Sequence, residues 1–153
     1  MRIDYLARHP EFIPTLANWF LRESPDYFRD KTWQDVAETF YERLNDNMIP
    51  LALVAFEDSQ VFGTISLVKE SISTRPNLTP WLAGLHVCEE QRHRGIGGQL
   101  IEAAVHEALR LDVERLYIGI SKAEDYYTKL GWQTVERTMY YGKEIIIMRL
   151  DLH

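Results

Sequence analysis

Apolar positions recur along this chain with two different periods, and the change of period divides it into helices and strands. Within residues 11 to 21, Phe12, Leu16 and Phe20 stand four apart, the spacing that lines one helix face, before Ser24-Pro25 interrupts the pattern. Pro14 is compatible with this helix because it lies in the opening turn. A second helix is predicted behind Thr32, whose hydroxyl suits the free amides of a first turn. Val36, Phe40 and Leu44 form its stripe, and Asn45-Asp46-Asn47 is expected to end it.

From Leu51 the pattern shortens. LALVAF and VFGTISLV are short, aliphatic and β-branched runs separated by the polar turn Glu57-Asp58-Ser59-Gln60, which predicts an antiparallel hairpin. Residues 69–80 carry prolines, an asparagine and several hydroxyls without periodicity and read as a long loop, a common carrier of specificity. Trp81–Val87 reads as a strand, a glycine-rich stretch follows, and Leu100, Ile101, Ala104, Val105 and Ala108 make a helical stripe ahead of a strand at Leu116–Ile120. Strand, helix and strand at this length form a right-handed parallel crossover. A shorter helix is expected over Ala123–Leu130, with Gly131 ending it in a left-handed turn. Strand-like runs at Trp132–Tyr140 and Glu144–Leu150 flank Tyr141-Gly142-Lys143 and predict a closing hairpin. With no repeat or linker, residues 1–153 are expected to form a single α/β domain on a mixed sheet.

Composition narrows the class further. A chain of 153 residues, 46% hydrophobic and 26% charged, has enough apolar material for one core and too much for disorder. The longest apolar run, Leu51 to Phe56, is too short to span a bilayer, and the opening residues lack an apolar stretch behind a basic end, so no membrane partner and a cytoplasmic location are expected. The single cysteine, Cys88, excludes an internal disulfide framework. With 17 Lys and Arg against 23 Asp and Glu, the net charge of -6 argues against a nucleic-acid partner, which needs a broad basic face.

Against that acidity, QRHRGIGGQL packs Arg92, His93 and Arg94 beside Gly95, Gly97 and Gly98, directly ahead of a helical pattern. Free amides at a helix start, the helix dipole and missing β-carbons together admit an anion, and the cationic neighbours suit a diphosphate. A tight turn with solvated arginines is the alternative. The Walker loop is set aside because Gly97 is followed by Gly98-Gln99, and the dinucleotide fingerprint because Leu100 stands where its third glycine belongs.

Arg92-x-x-Gly95-x-Gly97 resembles the Arg/Gln-x-x-Gly-x-Gly/Ala signature of the GNAT (GCN5-related) N-acetyltransferase superfamily. Ala123-Glu-Asp-Tyr126-Tyr127-Thr-Lys129-Leu130-Gly131-Trp132 is similar to that family's Ala-x-x-Phe-Tyr-x-Lys-Leu-Gly-Phe segment, and WLAGLHV to its fourth strand. The resemblance covers almost the full chain. It implies a GNAT-like α/β fold, a mixed and mostly antiparallel sheet with a central splayed parallel strand pair flanked by helices. It also implies acetyl-coenzyme A as cosubstrate. Backbone amides around Arg92, His93, Arg94, Gly95, Ile96, Gly97 and Gly98 would hold its pyrophosphate, and Leu85, His86 and Val87 would line the pantetheine arm. Ser121 stands where many relatives carry an asparagine that bonds that arm.

By the same resemblance an amine attacks the thioester directly, without an acyl-enzyme. Tyr127 takes the general-acid position, and Tyr126, at the family's Phe position, takes a packing role. A strand N–H near Val87, left unpaired by the splay, would polarise the thioester carbonyl. Relatives often carry a glutamate base where Ala83 stands here, so the base is open; His86 is the nearest titratable candidate, while Glu89 and Glu90 read as solvated. Cys88 reads as a small buried hydrophobe. No metal is expected, since His9, His86, His93, His106 and His153 show no paired ligand spacing. The acceptor is a small-molecule or peptide amine; the first two helices and residues 69–80 border its pocket in relatives, and Glu23, Asp26 and Asp30 read either as a solvated acidic surface or as acids that attract a cationic amine. Homodimers are common in the family. The competing reading, prompted by Ala83, is a non-catalytic acyl-coenzyme A sensor or interaction module.

Overall fold

The computed structural model describes residues 1–23 and 30–152. Its strands are β1 (Arg2–Tyr5), β2 (Leu51–Glu57), β3 (Gln60–Val68), β4 (Trp81–Val87), β5 (Arg115–Ile120), β6 (Gln133–Tyr140) and β7 (Lys143–Asp151). The helices are α1 (Ile13–Glu23), α2 (Trp33–Tyr41), α3 (Ile96–Arg110) and α4 (Glu124–Lys129). One sheet runs in the order β1-β2-β3-β4-β5-β7-β6. Every neighbouring pair is antiparallel except β4 and β5, which are parallel across the α3 crossover. The predicted single α/β domain with a mixed sheet is the observed one.

Strand alternation sorts the core into layers. On β2, Leu51, Leu53 and Ala55 pack with the α3 stripe of Leu100, Ile101, Ala104 and Ala108, while Ala52, Val54 and Phe56 pack with Leu16 of α1 and Val36 and Phe40 of α2. A smaller cluster of Val68, Ile72, Trp81, Tyr117 and Ile147 fills the space beneath residues 69–80. That loop is strapped to the far hairpin: Arg75 makes a two-pronged contact with the Glu136 carboxylate, one arm at 3.0 Å, and the Tyr140 hydroxyl meets the Ser73 amide and hydroxyl at 3.2 and 3.0 Å. The helices α1 and α2 and this loop therefore cover separate parts of the sheet.

Local chemistry explains most boundaries. Thr32 caps α2 through a reciprocal pair, accepting from the Asp35 amide at 3.1 Å while its own amide donates to the Asp35 carboxylate at 2.9 Å. The helix stops at Tyr41, short of the predicted Asn45, so Leu44 lies beyond it and is only partly buried. There the Arg43 amide closes a tighter turn onto the Phe40 carbonyl, and the Arg43 guanidinium reaches Ser66 at 2.9 Å. Gly131 takes φ +100° behind α4, as its position predicts. Strand β1 was not predicted, since four residues of mixed polarity carry too little pattern; its pairing with β2 makes it a strand. Ser24-Pro25 and Asp26 lie outside the described residues. Among the described residues no helix is long and apolar enough to cross a membrane.

Candidate active site

The parallel pair is brief. β4 and β5 are in register only at Trp81 with Tyr117 and Leu82 with Ile118, after which they part. The cause sits in β4: Gly84 adopts φ +64°, a left-handed conformation that side-chain-bearing residues avoid, and the β3–β4 register slips between Thr64 and Ser66. This bulge turns the end of β4 away from β5. An isolated glycine inside a strand pattern is a bulge signal, and Gly84 in WLAGLHV carries it.

Backbone polarity in the gap follows from alternation. The Cys88 amide donates to the Phe62 carbonyl of β3 at 2.8 Å, so Val87 directs its own amide and carbonyl to the opposite side, where β5 has withdrawn. Arg92 Nε takes up that carbonyl at 2.9 Å, and Arg92 Nη2 lies 3.9 Å from the Glu23 carboxylate of α1. Arg92 thus braces the end of β4, and Arg94 likewise bonds its neighbour Gln91 at 3.0 Å.

Helix α3 begins at this same end. Gly95 caps it at φ +82°, and among the described residues nothing lies within 4 Å of where its β-carbon would stand, while Gly97 meets only Val87 by that measure, at 3.9 Å. The Gln99 amide bonds the Gly95 carbonyl at 3.1 Å as the helix starts, so the amides of Ile96, Gly97 and Gly98 precede the intrahelical ladder. The Ile96 side chain is in the core, which leaves only its backbone for a ligand, whereas His93, at φ +66°, and Arg94 are exposed. The open cradle, its free donors and the adjoining gap fit an elongated ligand with an anionic head.

Tyr127 is buried, edge-on to Tyr126 at 5.3 Å and to Trp132 at 6.1 Å, and burial pushes its phenol upward in pKa, so it stays protonated at neutral pH. Tyr126 projects further out, with its hydroxyl 2.9 Å from where a Gly98 β-carbon would be. Ser121 is exposed just beyond β5. Together α4, the glycine turn and the end of β4 form one corner of the molecule.

His86 faces the other way. Its ring lies between Trp19 and Phe20 of α1, with centroids 5.0 and 5.7 Å distant, and its buried Nε2 has no hydrogen-bond partner among the described residues. Burial lowers its pKa; the Glu23 charge opposes that shift, and Arg92 and Arg22 reinforce it. His86 is therefore on the α1 and α2 side of the sheet and Tyr127 on the α3 side, with the gap as the passage between them. The aromatic setting from Trp19 and Phe20 was missed as such, because the helical period marks Phe20 only as stripe. Cys88 is buried with the α1 and α2 cluster and its thiol is pushed up in pKa by burial, in keeping with a packing role. Among the described residues no three His, Cys, Asp or Glu side chains gather as metal ligands. A cavity of about 450 Å³ near Thr79, Glu114, Arg115 and Asp151 opens at the far ends of β4 and β5 and contains none of the predicted site residues.

Residues 13–132 match the model of the acetyltransferase (GNAT) family, well over half of the chain. The chain belongs to that family. For this acetyltransferase no curated relative matches in sequence. Several solved structures resemble it over nearly their full length. An aminoglycoside 6'-acetyltransferase type Ii shares 20% identity at a TM-score of 0.75, covering 100% of this chain and 98% of the other. A ribosomal-protein-alanine N-acetyltransferase from Brucella melitensis shares 17% at 0.74, covering 99% and 100%. A putative acetyltransferase from Salmonella typhimurium, solved with its cofactor acetyl-CoA, shares 17% at 0.74, covering 100% and 94%. The fold and enzyme class implied by the sequence motifs are borne out.

Proposed function

We propose that this acetyltransferase moves the acetyl group of acetyl-coenzyme A directly to a primary amine of a small molecule or peptide. One observation carries the reading: β4 and β5 part beside the unpaired amides that open α3, giving a slot with an anion cradle at its mouth. Acetyl-coenzyme A supplies the activated thioester carbonyl. The amides of Ile96, Gly97 and Gly98 hold the diphosphate, and Leu85, His86 and Val87 line the arm. The Val87 amide, turned into the gap, is placed to stabilise the charge that builds on the carbonyl oxygen during attack.

The acceptor enters from the α1 and α2 side, where residues 69–80 and Glu23 border its approach. Its amine must shed a proton before attack, since an alkyl ammonium has a pKa of about 10.4. His86, kept neutral by burial and with Nε2 unclaimed among the described residues, takes that proton directly or through water. Tyr127, protonated in its apolar setting, donates to the departing sulfur. Two structural relatives are named for acetylating an aminoglycoside and a ribosomal-protein alanine, acceptors that are both amines.

The decisive assay follows thiol release from acetyl-coenzyme A against a broad amine panel. Turnover with at least one amine is expected. Binding of the coenzyme without turnover on any amine would leave the sensor reading in its place. In a thermal-unfolding assay, coenzyme A at 100 times its dissociation constant should add about 2.7 kcal/mol of stability.

A further inference from the structure

The motif position of Tyr126 is one for which a phenylalanine would suffice if the role were packing. The structure gives it a different setting. Tyr126 is 44% exposed, so its ring contributes little to the core, and that ring is steadied edge-on against the buried Tyr127 at 5.3 Å. Its hydroxyl is thereby held over the first turn of α3, 2.9 Å from the position a β-carbon on Gly98 would occupy. Glycine at 98 leaves that space to the hydroxyl. None of the described residues hydrogen-bonds this hydroxyl, and it stands beside the last of the free amides in the cradle.

We propose that the Tyr126 hydroxyl is a positioning donor for the coenzyme's diphosphate, a side-chain contact added to a cradle otherwise made of backbone. The inference rests on the reading of the glycine turn as the coenzyme site. Its chemistry is that of a neutral O–H donating to an anionic oxygen, a bond stronger than one between neutral groups. The hydroxyl acts at the head of the ligand and Tyr127 at the thioester, so adjacent tyrosines of α4 serve opposite ends of the arm. With only Ser121 where relatives place an asparagine, an extra anchor at the head gives this chain a second means of fixing the arm.

The test is calorimetric titration of the wild type and Tyr126→Phe with coenzyme A and, separately, with pantetheine, which has the arm but no diphosphate. The substitution keeps the ring and its contact with Tyr127, and thermal unfolding verifies that the variant folds. The expected result is about a tenfold weaker Kd for coenzyme A, the effect of one lost hydrogen bond to a charged group, with pantetheine affinity unchanged. Equal coenzyme A affinities for the two proteins would overturn the proposal, as would an equal loss for both ligands, which would place the hydroxyl on the arm. A wild type that does not bind coenzyme A would remove the underlying reading, and this inference with it.

Discussion

The two sides of the gap are built on opposite principles. On the α3 side of the proposed site the groups assigned to the coenzyme are chiefly backbone amides, exposed by glycines within the consecutive run of residues 95–98. On the α1 side they are side chains, Trp19, Phe20, Glu23 and His86, that meet only because α1 folds over β4. A backbone cradle recognises a generic anion and tolerates change in most side chains. A side-chain wall recognises a particular partner and changes with each substitution. In the proposed function the coenzyme would thus meet the generic chemistry of the peptide group, and the acceptor a wall of particular side chains.

Substitutions can break this contrast at either wall. The largest effect is expected at the connection between them: Tyr127→Phe should lower kcat by about 10² to 10⁴ while leaving coenzyme A affinity nearly unchanged, as steady-state kinetics and calorimetry will show. Next, Gly97→Asp places a carboxylate in the cradle and should weaken coenzyme A at least about a hundredfold through like-charge repulsion, with the fold intact by circular dichroism. On the opposite wall, His86→Gln should reduce kcat/KM by about 10² with little change in coenzyme A affinity.

The pH dependence of the wild type carries a linked sign. Because burial lowers the folded-state pKa of His86, kcat/KM should hold down to a pH below the ordinary value of about 6.5 and then fall, and His86→Gln should lose that acid limb. For stability, the unfolded state binds the His86 proton first as pH falls, so this group's contribution is fully present above about 6.5 and is lost between there and its lower folded value. Denaturant titrations at several pH values, with His86→Gln as reference, measure it. The smallest effect is expected from Arg75→Ala, which releases residues 69–80 from Glu136 at the surface: faster amide exchange in that loop, with coenzyme A affinity unchanged.

The same contrast explains what the sequence disclosed. The glycine turn and helix start within QRHRGIGGQL were legible because they are a local object, contiguous in the chain. The hairpin of β2 and β3, the α3 crossover and the final hairpin followed from periodicity for the same reason. The setting of His86 was not legible, because its neighbours come from a helix more than sixty residues away in the chain and their spacing reads simply as a buried stripe. Arg92 and Arg94 read as cationic donors for the diphosphate from their proximity to the glycines, but their bonds to Val87 and Gln91 depend on the path of the turn. The helix ends short of Asn45 because the turn after Phe40 tightens, though Leu44 still packs against the α1 and α2 cluster; β1 carries no signal because pairing, not pattern, makes it a strand.

The strand order has a mechanical consequence. β5 touches β4 through two register pairs alone, yet runs beside β7 from Arg115 with Asp151 to Ile120 with Ile146. It is suspended from its far neighbour, as a drawbridge hangs from one tower. The segment 143–151 therefore carries the weight of the opening, and a ribosome must complete those residues before the slot has a second bank.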